Sequence, residues 1–113
     1  MESVVIREWG YYQVLYDANG TKVKELTIRP GASLSMQRHD FRAEYWHVVD
    51  GCAVVNTMMK SGYKMPPQTL HKHQYMDILK GEWHQLTNPF DIPCVIIEIQ
   101  YGDKCVEEDI ERK

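Results

Sequence analysis

Residues 93–101 read Pro-Cys-Val-Ile-Ile-Glu-Ile-Gln-Tyr, and this stretch decides the fold class. It is rich in β-branched residues, shorter than a typical helix, and opened by a proline that cannot donate to a sheet ladder. Side chains alternate along a strand, so Val95, Ile97 and Ile99 share one face and Ile96, Glu98 and Gln100 the other. Runs of the same kind recur on both sides of it, separated by Gly, Pro, Asn and Asp. Residues 11–16 read as a strand with Asp17-Ala18-Asn19-Gly20 as its turn, and residues 21–28 as the next strand, closed by Pro30-Gly31. Residues 33–39 alternate, residues 45–49 follow a polar bend, and Asp50-Gly51 turns into residues 52–58. Ser61-Gly62 turns again, Pro66-Pro67 confines any strand there to a sheet edge, and residues 70–79 continue to the Lys80-Gly81 turn. The acidic tail from Cys105 is expected to be helical or extended. Eight or more short strands in about a hundred residues predict an all-β fold, a double-sheet jelly roll or small barrel with room for one small ligand in its mouth.

The bulk numbers agree and exclude several classes. With 113 residues, 43% of them hydrophobic and 26% charged, residues 1–113 are expected to form one domain that buries a core without disulfides. A net charge of −3 without a basic cluster argues against nucleic acid as a partner. No apolar run is long enough to cross a bilayer. No secretory signal is visible, and the odd set Cys52, Cys94 and Cys105 fits a reducing cytoplasm better than a disulfide framework.

Candidate ligands come from spacing. Gln37 and His39 are two apart and would point to one face of a strand. Glu44 lies five beyond His39, across a bend, where a neighbouring strand could present it beside that histidine. His84, just past Gly81, could close the site from the opposite strand pair. Two imidazoles, a carboxylate and an amide oxygen suit Zn, Mn, Fe(II), Co or Ni rather than Ca or Cu(I). His71 and His73 are two apart and read as a polar surface rather than a second metal site, and His47 is out of phase with Glu44. Trp9, Trp46 and Trp83 offer aromatic faces to a ligand, with core or dimer packing an equal reading for Trp9, and with Trp46 on the face of Glu44.

The combined spacing resembles a known family. Gly31, Gln37, His39, Glu44 and Gly51 look like the first cupin motif with Gln37 in place of its first histidine, and Gly81-Glu82-Trp83-His84-Gln85-Leu86-Thr87-Asn88 looks like the second. Arg7-Glu8-Trp9-Gly10-Tyr11-Tyr12, Leu34-Ser35-Met36-Gln37-Arg38-His39, Arg42-Ala43-Glu44-Tyr45-Trp46 and the segments at 97–102 and 108–112 resemble type II phosphomannose isomerases. Those domains usually form the C-terminal part of bifunctional mannose-1-phosphate guanylyltransferases. The chain departs from the pattern at His39-Asp40-Phe41, at Leu79-Lys80 before Gly81, and in a longer segment between Gly51 and Gly81; no nucleotidyltransferase domain is seen in it.

The resemblance implies a metal-dependent aldose–ketose interconversion of the mannose 6-phosphate/fructose 6-phosphate type, with a sugar or sugar phosphate as partner and a homodimer as the assembly. A proton must leave C2 and return at C1, and Lys22, Lys24 and Arg42 are candidate catalytic groups, with His47 behind them. Arg42, Lys24 and Arg112 are candidates for a phosphate. The alternatives are a non-catalytic metal-containing sugar-binding module and an Fe or Mn oxygenase, which the fold alone does not separate.

Overall fold

The computed structural model describes residues 3–113. Its strands are β1 (Val4–Arg7), β2 (Gly10–Ala18), β3 (Thr21–Ile28), β4 (Gln37–Arg38), β5 (Arg42–Asp50), β6 (Ala53–Met58), β7 (Gln68–Leu70), β8 (Tyr75–Ile78), β9 (Trp83–Thr87), β10 (Cys94–Gly102) and β11 (Glu111–Arg112). They form two antiparallel sheets, ordered β1-β2-β3-β10-β5-β8 and β11-β4-β9-β6-β7. This is the all-β double-sheet barrel the strand pattern predicts. Among the described residues, no helix is long and apolar enough to cross a membrane.

The turns follow from their residues. Asn19 and Gly20 both have positive φ (54° and 70°), as a two-residue hairpin between Ala18 and Thr21 requires. Gly51 sits at φ 76°, and a Cβ there would run into the carbonyl of Pro93.

Polarity is graded along each inward face. On β3 the inward residues are Lys22, Lys24, Leu26 and Ile28; on β10 they are Gln100, Glu98, Ile96 and Cys94. The register sets like against like, with Ile96 opposite Leu26 and Val48, and Gln100 opposite Lys22 and Glu44. β6 and β9 repeat the pattern, with Val55 opposite Leu86 and Thr57 opposite His84. One end of the barrel is therefore a dry core of Ile28, Val48, Ala53, Val55, Leu86, Cys94 and Ile96, and the other a wall of polar groups. Fully buried Asn88 pins the dry end, its Nδ2 donating to the carbonyls of Ile28 and Ile92.

Several boundaries differ from the expectation. Val4–Arg7 is a strand that sequence patterning did not mark. Of residues 33–39 only Gln37–Arg38 forms a strand; Ser33 makes an isolated bridge to Thr87, and Leu34 N–H donates to Leu86 O. Residues 70–79 are not continuous. His73 adopts φ 70°, and the turn there carries the chain from β7 in one sheet to β8 in the other. β7, after Pro66-Pro67, is an edge strand as expected. The tail is extended: β11 pairs with β4, and no helix forms.

Candidate metal centre

The chain changes sheets at residues 39–41, between β4 and β5, and that crossing builds the site. His39 ends the β4 side, Glu44 is the third residue of β5, and His84 is the second of β9. Gln37 and His84 are ladder partners on adjacent strands. His84 therefore stands beside Gln37, and Glu44 is the residue that arrives from the facing sheet, the reverse of the arrangement read from spacing. His39, Glu44 and His84 are buried, with one ligand atom from each lying within 4.8 Å of the others.

Hydrogen bonds fix which ring nitrogens face inward. His39 Nδ1 is 2.6 Å from the carbonyl of Asp109, and His84 Nδ1 is 2.9 Å from the carbonyl of Glu82. A carbonyl only accepts, so each Nδ1 carries the proton and each Nε2 presents a lone pair. Burial lowers both imidazoles, His39 to about 4, so they are neutral. His39 Nε2 then faces Glu44 Oε2 at 3.2 Å, and His84 Nε2 faces Glu44 Oε1 at 3.7 Å. Lone pairs confronting a carboxylate across those distances are a donor set for a cation, so the residues fit a divalent ion. Backbone carbonyls that orient the far side of each ring are the usual outer support of metal-ligating histidines. Arg42 is the cation the structure itself provides: Nε donates to Glu44 Oε2 at 2.9 Å and Nη2 to His39 Nε2 at 3.3 Å. Gln37 lines the cavity, and its Nε2 makes only long contacts of 3.4 Å to Ser35.

The site opens into a cavity of ≈ 230 Å³. Lys24, Arg42 and Arg112 line it, whereas Lys22 is not among its lining residues and lies between Asp17 and Glu107, the latter on the lining. Trp9 and Trp46 line it as well; Trp83 does not, and lies under Arg38 and Lys113. His47 faces outward, 5.9 Å from the ring of His73, and His71 meets Cys52 Sγ at 3.5 Å. Among the described residues, the His39, Glu44 and His84 group is the one able to hold a metal through His, Cys, Asp or Glu.

Four residues of the site escaped the sequence reading. Glu98 lies across from Trp46, whose indole Nε1–H is shared between Glu44 Oε1 and Glu98 Oε2 at 3.1 Å each. Burial, reinforced by Glu44, pushes the Glu98 carboxyl up to about 7. Gln100 Nε2 donates to Glu98 Oε1 at 2.8 Å, leaving Gln100 Oε1 buried without a partner. In the tail, Asp109 accepts the backbone N–H groups of Asp40 and Phe41 at 2.8 and 2.9 Å, and Glu107 accepts from Lys24 at 2.8 Å. Glu98 and Gln100 had a signal: two polar residues sharing a strand face with Ile96. Nothing local marks Asp109 and Glu107, because their partners are more than 60 residues away.

A two-sheet barrel with a dry end and a polar end of this kind has the cupin fold. Solved cupin structures superpose on nearly the whole chain. CapF, a capsular polysaccharide assembling protein of Staphylococcus aureus, matches with a TM-score of 0.88 and 17% identity, over 99% of this chain and 34% of that one. Oxalate decarboxylase of Bacillus subtilis matches with a TM-score of 0.86 and 13% identity, over 98% and 30%. The family model described as "Mannose-6-phosphate isomerase C-terminal" matches residues 1–113, and the chain belongs to that family. Its relatives include the alginate biosynthesis protein AlgA of Pseudomonas putida, 42% identical over 108 residues, and mannose-1-phosphate guanylyltransferase of Salmonella muenchen, 36% identical over 108 residues. The alignments cover 96% of this chain but only 21% and 22% of those proteins, so the chain spans about a fifth of the length of the curated relatives it matches.

Proposed function

We propose that this cupin is a metal-dependent sugar-phosphate isomerase of the mannose 6-phosphate/fructose 6-phosphate type, with His39, Glu44 and His84 holding one divalent transition ion and Gln37 completing the set. One observation carries the reading: two imidazole lone pairs, keyed by their Nδ1 bonds, converge on the Glu44 carboxylate. Bound there, a divalent ion supplies Lewis acidity that polarises a carbonyl and offsets charge developing on sugar oxygens. The family membership supports the reaction type. The chain's own residues supply the rest. Buried Gln100 Oε1 is an acceptor in want of a donor, which a sugar hydroxyl provides. Trp9 and Trp46 give aromatic walls. On the cavity wall Glu98 is a group able to hold or move the proton between C2 and C1, while Lys24 and Arg42 line the same wall as fixed cations. Lys22, outside the lining, acts on charge rather than on that proton.

A second reading, a non-catalytic sugar-binding module that keeps the metal for stability, is favoured by the ion pairs: Lys24 is tied to Glu107 and Arg42 to Glu44. Turnover of mannose 6-phosphate before and after chelation separates the two. Turnover lost with the metal and restored by Zn or Mn supports the isomerase. No turnover, with sugar binding retained, supports the module. We also propose the cytoplasm as the compartment, in keeping with three free cysteines. A second copy of the chain is the partner proposed for the outer face of the six-stranded sheet, where Val95, Ile97, Ile99 and Tyr45 are half-buried and Tyr75 and Tyr101 exposed.

A further inference from the structure

Lys22 and Lys24 are adjacent inward residues of β3, with side chains only 11% and 7% exposed. Two buried like charges need a counter-anion. No ladder partner is an anion shared by both lysines: on β10 Lys22 faces neutral Gln100 and Lys24 faces Glu98, which also accepts from Gln100 and Trp46, and on β2 Lys22 faces Asp17. Asp17, 3.8 Å from Lys22, is 61% exposed. The anion common to both lysines comes from the tail. Glu107 Oε2 lies 2.8 Å from Lys24 Nζ and 3.7 Å from Lys22 Nζ, so a single oxygen bridges both ammoniums. Glu107 belongs to no strand and its side chain is 53% exposed.

The burial of this cluster is lopsided. The cations are built into a central strand, and Lys24 is further held over the Tyr12 ring at 4.2 Å. Their anion is a half-exposed carboxylate on an irregular segment. Lys24 and Glu107 line the same cavity as Glu44 and His84. A phosphate oxygen in the place of Glu107 Oε2 would bring more charge to the same two donors and leave its ester group inside the cavity, next to Gln100.

We propose that Lys22 and Lys24 form an anion subsite for the phosphate of a phosphomonoester, and that Glu107 fills it in the free chain and is exchanged out when the ligand binds. The inference rests on the proposed function in placing the sugar phosphate in this cavity. The exchange is local, because the tail stays anchored on either side of Glu107: Val106 O accepts from Arg42 at 3.0 Å, and Asp109 holds the bend at Asp40 and Phe41.

The test is calorimetric titration of the full chain with inorganic phosphate, mannose 6-phosphate and free mannose. Glu107→Gln removes the competing charge from an exposed side chain, so both phosphate-bearing probes should bind about tenfold more tightly, within the usual size of an intramolecular coupling. Free mannose should show no such gain. Lys22→Met, which keeps the aliphatic stem, should abolish the gain in the Glu107→Gln background. Phosphate binding in Glu107→Gln no tighter than in the parent overturns the proposal, as does an equal gain for mannose or a gain that survives Lys22→Met. Because the readout is binding, a gain without isomerase turnover would leave the subsite standing and remove the isomerase reading. Turnover without a gain would remove the subsite alone.

Discussion

Asp109→Ala isolates what the tail does for the metal centre. The substitution deletes the carboxylate that receives Asp40 and Phe41 N–H at 2.8 and 2.9 Å, yet keeps the backbone carbonyl that receives His39 Nδ1–H. Hydrogen bonds to a charged group contribute about 1.5–3 kcal/mol each. Both bonds are partly buried, so water recovers part of the loss, and the lower figure applies, about 3 kcal/mol for the pair. A domain of this size loses about 4 °C of Tm per kcal/mol, which gives a fall of about 12 °C by calorimetry. Metal affinity should fall as well, by roughly 10–100-fold, the usual consequence of loosening the outer support of a ligand. Asp109→Asn keeps one acceptor and should recover about half of the stability. Asp103→Ala, at a side chain 80% exposed, should change neither quantity. A Tm within roughly 2 °C of the parent, together with unchanged metal affinity, would refute the claim that the tail fixes His39.

His84→Ala should abolish stoichiometric Zn or Mn binding by elemental analysis; full occupancy in that variant would break the ligand set. Metal-free protein should lose stability below neutrality. Both imidazoles are depressed on folding, so as pH falls below about 6.5 the unfolded chain takes up protons that His39 refuses until about 4; urea midpoints should decline across that window and be flat above it with respect to these groups. Ile97→Glu, at the centre of the half-buried outer face, should convert the expected dimer to monomer in sedimentation velocity, and an unchanged mass would assign that face to something else. Gly51→Ala should lower the denaturant midpoint by the equivalent of at least about 1 kcal/mol, since φ 76° and the Pro93 carbonyl both oppose a Cβ.

The strand pattern was legible because alternation is local. Residues 93–101 and 21–28 announce themselves, and the Asn19-Gly20 turn carries its own geometry. That His39, Glu44 and His84 come together was legible as a motif, but their arrangement was not. Spacing says that His39 and Glu44 are separated by a bend; it does not say that the bend changes sheets, and so His84 was placed opposite when it is adjacent. Apolarity alone also misleads about which face is inward. Val95, Ile97 and Ile99 form the more apolar set of their strand, yet Ile96, Glu98 and Gln100 point into the barrel. The Glu98 carboxylate can be buried because Gln100 and Trp46 donate to it, and Trp46 is 52 residues away in sequence. The roles of Asp109 and Glu107 were invisible for the same reason.

The pairing of β3 with β10 also governs how the molecule comes into being. Thr21 pairs with Tyr101 and Ile28 with Cys94, so the six-stranded sheet cannot close until residues 94–102 are available, some 70 residues after β3 begins. Such non-local pairing predicts folding in milliseconds to seconds rather than microseconds. Asp109 lies farther along still and takes no part in that pairing. The sheet can thus close before Asp109 buttresses the bend beside His39.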